Sequence, residues 1–146
     1  MPPKPDPPLD VLLIEDNPGD ADLVAEALVE NESHVALHVV SDGEAALEYL
    51  ERRNGYAGAP LPRLILLDWN LPRLSGERVL ERIKANGNLR SIPVIVLTSS
   101  RAPQDIDTAY RLHANCYVSK PGGFDAFVEL VRQIEHFWVS VAEIPR

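Results

Sequence analysis

Asp68 follows four consecutive apolar residues, Leu64-Ile65-Leu66-Leu67, and the turn-forming stretch Trp69-Asn70-Leu71-Pro72 comes immediately after it. An unbroken apolar run suits a strand covered on both faces, as in a parallel sheet, so the carboxylate belongs at the strand's C-terminal tip. In open α/β sheets the crevice beyond those tips is where ligands bind. One such Asp is as readily a turn former as a working group, but the pattern recurs. Residues 11–14 end at Glu15-Asp16, residues 93–97 at Thr98-Ser99-Ser100, and residues 116–119 at Lys120. Taken singly, Thr98 is explained as a helix cap and Lys120 as an exposed lysine. Arriving in order on successive apolar strands, these types describe one site.

The chemistry of that site follows from its charges. Three crowded carboxylates repel, and a hard divalent cation such as Mg²⁺ relieves the repulsion by taking oxygen ligands while keeping several waters. Lys120 brings a further positive charge. Screened from two sides, Asp68 can act as a nucleophile on a phosphoryl donor and form an acyl phosphate. Positioning and charge neutralisation supply most of the catalysis in such transfers. Asp16 and Asp68 are expected to hold the metal, with Glu15 behind them orienting a metal-bound water.

The elements that must position these residues are legible as alternating patterns. Pro18 and Asp20 suit a helix start, and Leu23, Ala27 and Leu28 keep one buried face to about Glu30. Val35, Leu37 and Val39 alternate with Ala36, His38 and Val40 in a second strand, where His34 and His38 read as surface residues. Ser41-Asp42-Gly43 opens a helix through Arg52, and residues 53–63, with Gly55, Gly58, Pro60 and Pro62, form an exposed loop. Val79, Leu80 and Ile83 give a third helix, stopped by Asn86-Gly87. Ile106, Ala109 and Tyr110 mark a fourth helix after Pro103, and the last helix spans about 124–139. Its residues Phe124, Phe127, Val128, Val131, Ile134 and Trp138 form one stripe at about 100° per residue. Leu130, Phe137 and Val141 form a second apolar set. Strands each followed by a helix give a doubly wound (βα)5 domain with a parallel sheet covered on both faces.

Composition limits the function classes. The chain has 146 residues, an apolar fraction of 45% and a formal net charge of -8, which fits one globular domain and disfavours nucleic acid as a partner. Residues 1–8, with five prolines, read as a short leader and not as a signal peptide. No stretch reaches the roughly 18 apolar residues of a membrane helix, so a cytoplasmic protein without membrane contact is expected. Cys116, the single cysteine, reads as a buried thiol. There is neither a Gly-rich dinucleotide fingerprint nor a phosphate loop ending in Lys-Ser/Thr.

Over residues 9–138 the sequence resembles the receiver domain of two-component response regulators. Glu15-Asp16 resembles that family's acidic pair and Asp68 its phosphoacceptor. Asn70 is similar to the residue whose backbone carbonyl ligates Mg²⁺, and Pro72 with Gly76 to the following loop. Thr98 resembles the hydroxyl that contacts the phosphoryl group, Tyr117 the switch aromatic, and Lys120-Pro121 the pair joined by a cis peptide bond. The resemblance implies a flavodoxin-like fold with strand order 2-1-3-4-5, Mg²⁺ as cofactor, a histidine kinase as phosphodonor, and a homodimer through helix four, strand five and helix five. Trp69, where an aliphatic residue is usual, and His113-Ala114, where Gly-Ala is usual, depart from the family pattern without removing a reactive group. The run Leu112-His113-Ala114-Asn115-Cys116-Tyr117, the long loop before strand three and Phe137-Trp138 resemble the small regulators that partner phytochrome-type histidine kinases. The chain is then one receiver domain, 9–146, with a short C-terminal extension, a phosphoacceptor and not an ordinary enzyme.

Two other classes share parts of this pattern. A haloacid-dehalogenase-like phosphatase also combines an aspartate nucleophile, a hydroxyl, a lysine and Mg²⁺, but its nucleophile lies on the first strand with a second Asp two residues on. Here Asp68 is on the third strand and Asn70 follows it. A receiver-like binding module that is never phosphorylated has no need of Glu15, Asp16, Asp68, Thr98 and Lys120 together.

Overall fold

A computed structural model of the chain describes residues 7–30 and 34–145, so that stretch 1–6 of the expected leader and Arg146 lie outside the described residues. Among the described residues, strands β1 (Leu9–Ile14), β2 (Val35–Val40), β3 (Leu64–Leu67), β4 (Val94–Thr98) and β5 (Cys116–Ser119) alternate with helices. These are α1 (Pro18–Glu30), α2 (Gly43–Leu50), α3 (Gly76–Ala85), α4 (Pro103–Arg111) and α5 (Phe124–Glu135), followed by a π-helical turn, His136–Val141. The strands pair in parallel in the order β2-β1-β3-β4-β5, the doubly wound arrangement expected from the alternation.

Side chains alternate between the faces of a strand, and the apolar runs feed two separate cores. Leu12, Ile14, Ile65, Leu67, Val94 and Val96 pack with Leu47 of α2, Leu80 and Ile83 of α3 and Ala109 of α4. Val11, Leu13, Leu64, Leu66, Ile95 and Leu97 pack with Val24 and Ala27 of α1 and Phe127 and Val131 of α5. Runs without polar interruption on β1, β3 and β4 are therefore required, because both faces of these inner strands are covered.

Helix starts follow local chemistry. Asp42 Oδ1 accepts from Ala45 N–H at 2.7 Å at the head of α2, and Ser75 Oγ accepts from Arg78 N–H at 3.3 Å at the head of α3. α2 stops at Leu50, two residues before the expected end at Arg52, because Arg52 adopts φ 56° and leaves the helical region. Phe124 is 51% exposed and not part of the sheet-facing stripe. It is the first residue of α5, and helical side chains lean toward the N-terminus, away from the rest of the stripe. Phe127, Val128, Val131 and Ile134 are buried as expected, with Trp138 partly buried against the same core. The last helix continues beyond 139 by changing to i→i+5 hydrogen bonds, and Ala142 N–H donates to the Phe137 carbonyl at 2.6 Å.

Candidate functional site

Backbone hydrogen bonds at the strand tips bring the sequence-identified residues into one crevice. Asp68 N–H donates to the Ile14 carbonyl at 3.0 Å, which extends the β1–β3 pairing by one residue and sets Asp68 beside Glu15 and Asp16. Lys120 N–H donates to the Thr98 carbonyl at 2.8 Å, so Lys120 leaves β5 against the tip of β4. The loop after Asp68 is held by Gly76, whose N–H donates to the Trp69 carbonyl at 2.9 Å. A Cβ on residue 76 would lie 2.4 Å from the Asp68 carbonyl oxygen, so only glycine allows this approach. Trp69 points into the core on the α2–α3 side, which accommodates the bulky residue next to the acid.

Glu15, Asp16 and Asp68 offer carboxylate oxygens within 4.8 Å of one another, Asp16 exposed and the other two buried. Three oxygen donors at that spacing, one open to water, fit a hard divalent cation that retains part of its hydration. Asn70 lies at the rim, exposed, and its N–H donates to Asp68 Oδ1 at 3.3 Å.

Lys120 is the positive counterpart. Its ammonium bonds Glu15 Oε1 and lies 3.4 Å from Asp68 Oδ2, with 8% of its side chain exposed. A third partner escaped the sequence reading: Asp20 Oδ2 is 2.9 Å from Lys120 Nζ. Asp20 stands in the first turn of α1, which begins at the crevice because β1 ends there. Its sequence signal, an acid at a helix start, reads equally as dipole compensation.

Electrostatics follow the burial. Burial and the neighbouring Asp68 push the Glu15 carboxyl up to about 7 despite the Lys120 contact. Burial works against the Lys120 ammonium, but hydrogen bonds to Glu15 and Asp20 and the Asp68 charge overcome it and hold the group above the usual lysine range. Lys120 is therefore a fixed cation. Burial raises the Cys116 thiol, which leaves it an unreactive half-buried group.

Thr98 is fully buried at the tip of β4, and its Oγ1 accepts from Ser100 N–H at 3.5 Å. Tyr117 is partly buried, and its hydroxyl donates to the Ser100 carbonyl at 2.9 Å. Ser100 itself donates to Asp105 Oδ2 at 2.5 Å, which ties this loop to the first turn of α4. The sequence had placed Ser100 only as the end of a strand. The expected cis bond at Lys120-Pro121 is not found, since no cis peptide occurs among the described residues; trans is the lower-energy form even before proline. His38 Nε2 pairs with Asp10 at 2.9 Å at the opposite end of β1, far from the site in the strand register, and is no ligand here.

Comparison with known proteins agrees with this geometry. Residues 11–132 match the family described as response regulator receiver domain. The response regulator Rcp1 of Synechocystis sp. is 40% identical over 139 residues, 95% of this chain and 95% of that protein. The crystal structure of the phosphorylated cyanobacterial phytochrome response regulator RcpA superposes with a TM-score of 0.92 at 40% identity, over 95% of this chain and 99% of that one. The Mn²⁺-bound form of Rcp1 gives the same TM-score, 0.92, and the same identity, 40%, over 95% of this chain and 100% of that one. With a flavodoxin-like sheet in the order 2-1-3-4-5 and an oxygen-lined divalent-cation site at its tips, the chain belongs to the receiver domains of response regulators.

Proposed function

We propose that Asp68 is the phosphoacceptor of this receiver domain, that its donor is a phosphohistidine of a histidine kinase, and that the signal leaves by protein contact. The observation that carries this reading is the position of Asp68 between opposite demands. Its Oδ2 is 3.4 Å from the Lys120 ammonium, and its carboxylate lies within 4.8 Å of oxygens from Glu15 and Asp16. An Asp68 oxygen attacks phosphorus, the phosphorus–nitrogen bond breaks, and its electron pair stays on the kinase imidazole. Water later cleaves the acyl phosphate and regenerates the carboxylate. Lys120 and the Thr98 hydroxyl receive the new phosphoryl oxygens. Asp16, Asp68 and the Asn70 carbonyl would hold Mg²⁺, with Glu15 behind them, and the cation would supply neutralisation of charge on the transferring group. The protein is thus changed by its own reaction and does not turn over a separate substrate.

The likeness to the phytochrome response regulator RcpA supports a phytochrome-type kinase as the donor. Among the described residues no helix is long and apolar enough to cross a membrane, and a cytoplasmic setting is part of the proposal. So is the division into a leader, 1–8, and one receiver domain, 9–146, and a homodimer through α4, β5 and α5. Tyr117 serves as the switch aromatic beside Thr98. Incubating the protein with Mg²⁺ and a small phosphodonor, then weighing it intact, tests the central assignment. The wild type should gain one phosphoryl group and Asp68→Asn none; equal labelling of that variant overturns it.

A further inference from the structure

The Lys120 ammonium has three protons and no acceptor capacity, and its three carboxylate partners are Glu15, Asp20 at 2.9 Å and Asp68 at 3.4 Å. On phosphorylation the 3.4 Å contact with Asp68 gives way to one with the new phosphoryl oxygen, and reaching that oxygen draws the ammonium away from Glu15 or from Asp20. The partners differ in what opening costs. The Glu15 side chain is 2% exposed, and released from the ammonium it would stay buried with no access to water. The Asp20 side chain is 29% exposed and regains water when released. Its backbone is held independently, since Asp20 N–H donates to Asn17 Oδ1 at 3.1 Å. Opening the contact with Asp20 therefore leaves the start of α1 in place.

We infer that Asp20 is a positioning residue: it holds Lys120 in the resting protein and yields it to the phosphoryl group, so that it acts as a competitor of the phosphorylated state. The inference rests on Asp68 being the phosphoacceptor. A contact present in one state and lost in the other opposes the second by its full differential strength. Removing the Asp20 carboxylate should shift the balance toward the phosphorylated form without any new contact being made.

The test is calorimetric titration of the full chain with beryllofluoride, a phosphoryl mimic, in Mg²⁺. Asp20→Asn should bind the mimic roughly ten-fold more tightly than the wild type, as expected for loss of one competing charge-assisted hydrogen bond. Asp22→Asn, which removes the same charge from an exposed position on α1, should stay within about two-fold. The gain from Asp20→Asn should vanish in a Lys120→Met background, as a double-mutant cycle requires. An unchanged affinity of Asp20→Asn, or a gain that persists without Lys120, overturns the inference. Where Lys120→Met binds no mimic, Asp20→Glu decides: a restored carboxylate should bring affinity back toward wild type, and a gain equal to that of Asp20→Asn overturns it. Absence of binding by the wild type, or equal binding by Asp68→Asn, overturns the phosphoacceptor assignment instead.

Discussion

The Tyr117 hydroxyl donates to the Ser100 carbonyl at 2.9 Å, fastening the middle of β5 to the loop that leaves Thr98. The N–H of the same Ser100 rests on Thr98 Oγ1, and its hydroxyl donates to Asp105 at the head of α4. One small residue thus connects the hydroxyl at the site, the aromatic of β5 and a helix on the surface. Under the proposed function, drawing Thr98 toward a phosphoryl group would remove the acceptor for Ser100 N–H and loosen the loop that Tyr117 holds.

Amide hydrogen exchange should read this directly. In the wild type, phosphorylation should change exchange across 99–106, and Thr98→Ala should lose most of that change while retaining the phosphoryl mass gain. Tyr117→Phe removes one hydrogen bond, about 1 kcal/mol of local restraint, and should speed exchange there even before phosphorylation. An identical phosphorylation-dependent change in Thr98→Ala would show that the hydroxyl is not the coupling element.

The Glu15 carboxyl gives a pH signature in metal-free protein. Its folded value, about 7, lies above its ordinary 4.5 because of burial first and Asp68 second. Between those values the folded state binds a proton that the unfolded state has lost, so this group's contribution to stability is complete below about 4.5 and disappears as pH rises through 7. Urea unfolding in chelator from pH 5 to 7.5 should show the wild type losing roughly 2 kcal/mol relative to Glu15→Gln. Excess Mg²⁺ should diminish the loss, since a cation favours the ionised form. A difference that stays flat with pH contradicts the assignment.

Much of the site was legible because each reactive residue ends an apolar run on an inner strand, and the run itself dictates where its last side chain must stand. What stayed hidden depends on packing between elements. Asp20 reaches Lys120 only because α1 starts at the crevice, over a sequence separation of 100 residues. Ser100 gained its role from where Tyr117 and α4 settle around it. Phe124 shows the reverse limit: periodicity puts it on the sheet-facing stripe, but at the first position of α5 it stays 51% exposed.

Gly76 gives a stability test tied to the site. Its added Cβ would meet the Asp68 carbonyl oxygen at 2.4 Å and Trp69 Cα at 2.7 Å, both backbone atoms that cannot rotate away. Gly76→Ala should therefore cost on the order of 2 kcal/mol or more and slow the mass gain from a small phosphodonor, because the strain falls on Asp68's own loop. Gly58→Ala, with nothing within 4 Å, should leave both measurements unchanged. Equal behaviour of the two variants would remove Gly76 from the account of the site.

The second apolar set on the last helix bears on self-association. Leu130 is absorbed at the margin of the α1–α5 core and lines a groove of about 310 Å³ with Ser119 and Pro121. Phe137 and Val141 remain 51% and 57% exposed, with Phe137 edge-on to Trp138 at 5.4 Å. The tail does not use them up in its one described tether, where Arg63 donates to the Ile144 carbonyl at 3.3 Å. Large apolar side chains left in water favour burial against a second copy, and a two-fold contact would bury each of them twice. Sedimentation should find a dimer at roughly tens of micromolar protein. Phe137→Asp should weaken it while circular dichroism stays unchanged, since that side chain carries no core packing. A wild type that stays monomeric with and without phosphorylation would leave α4, β5 and α5 free for other partners and overturn the dimer.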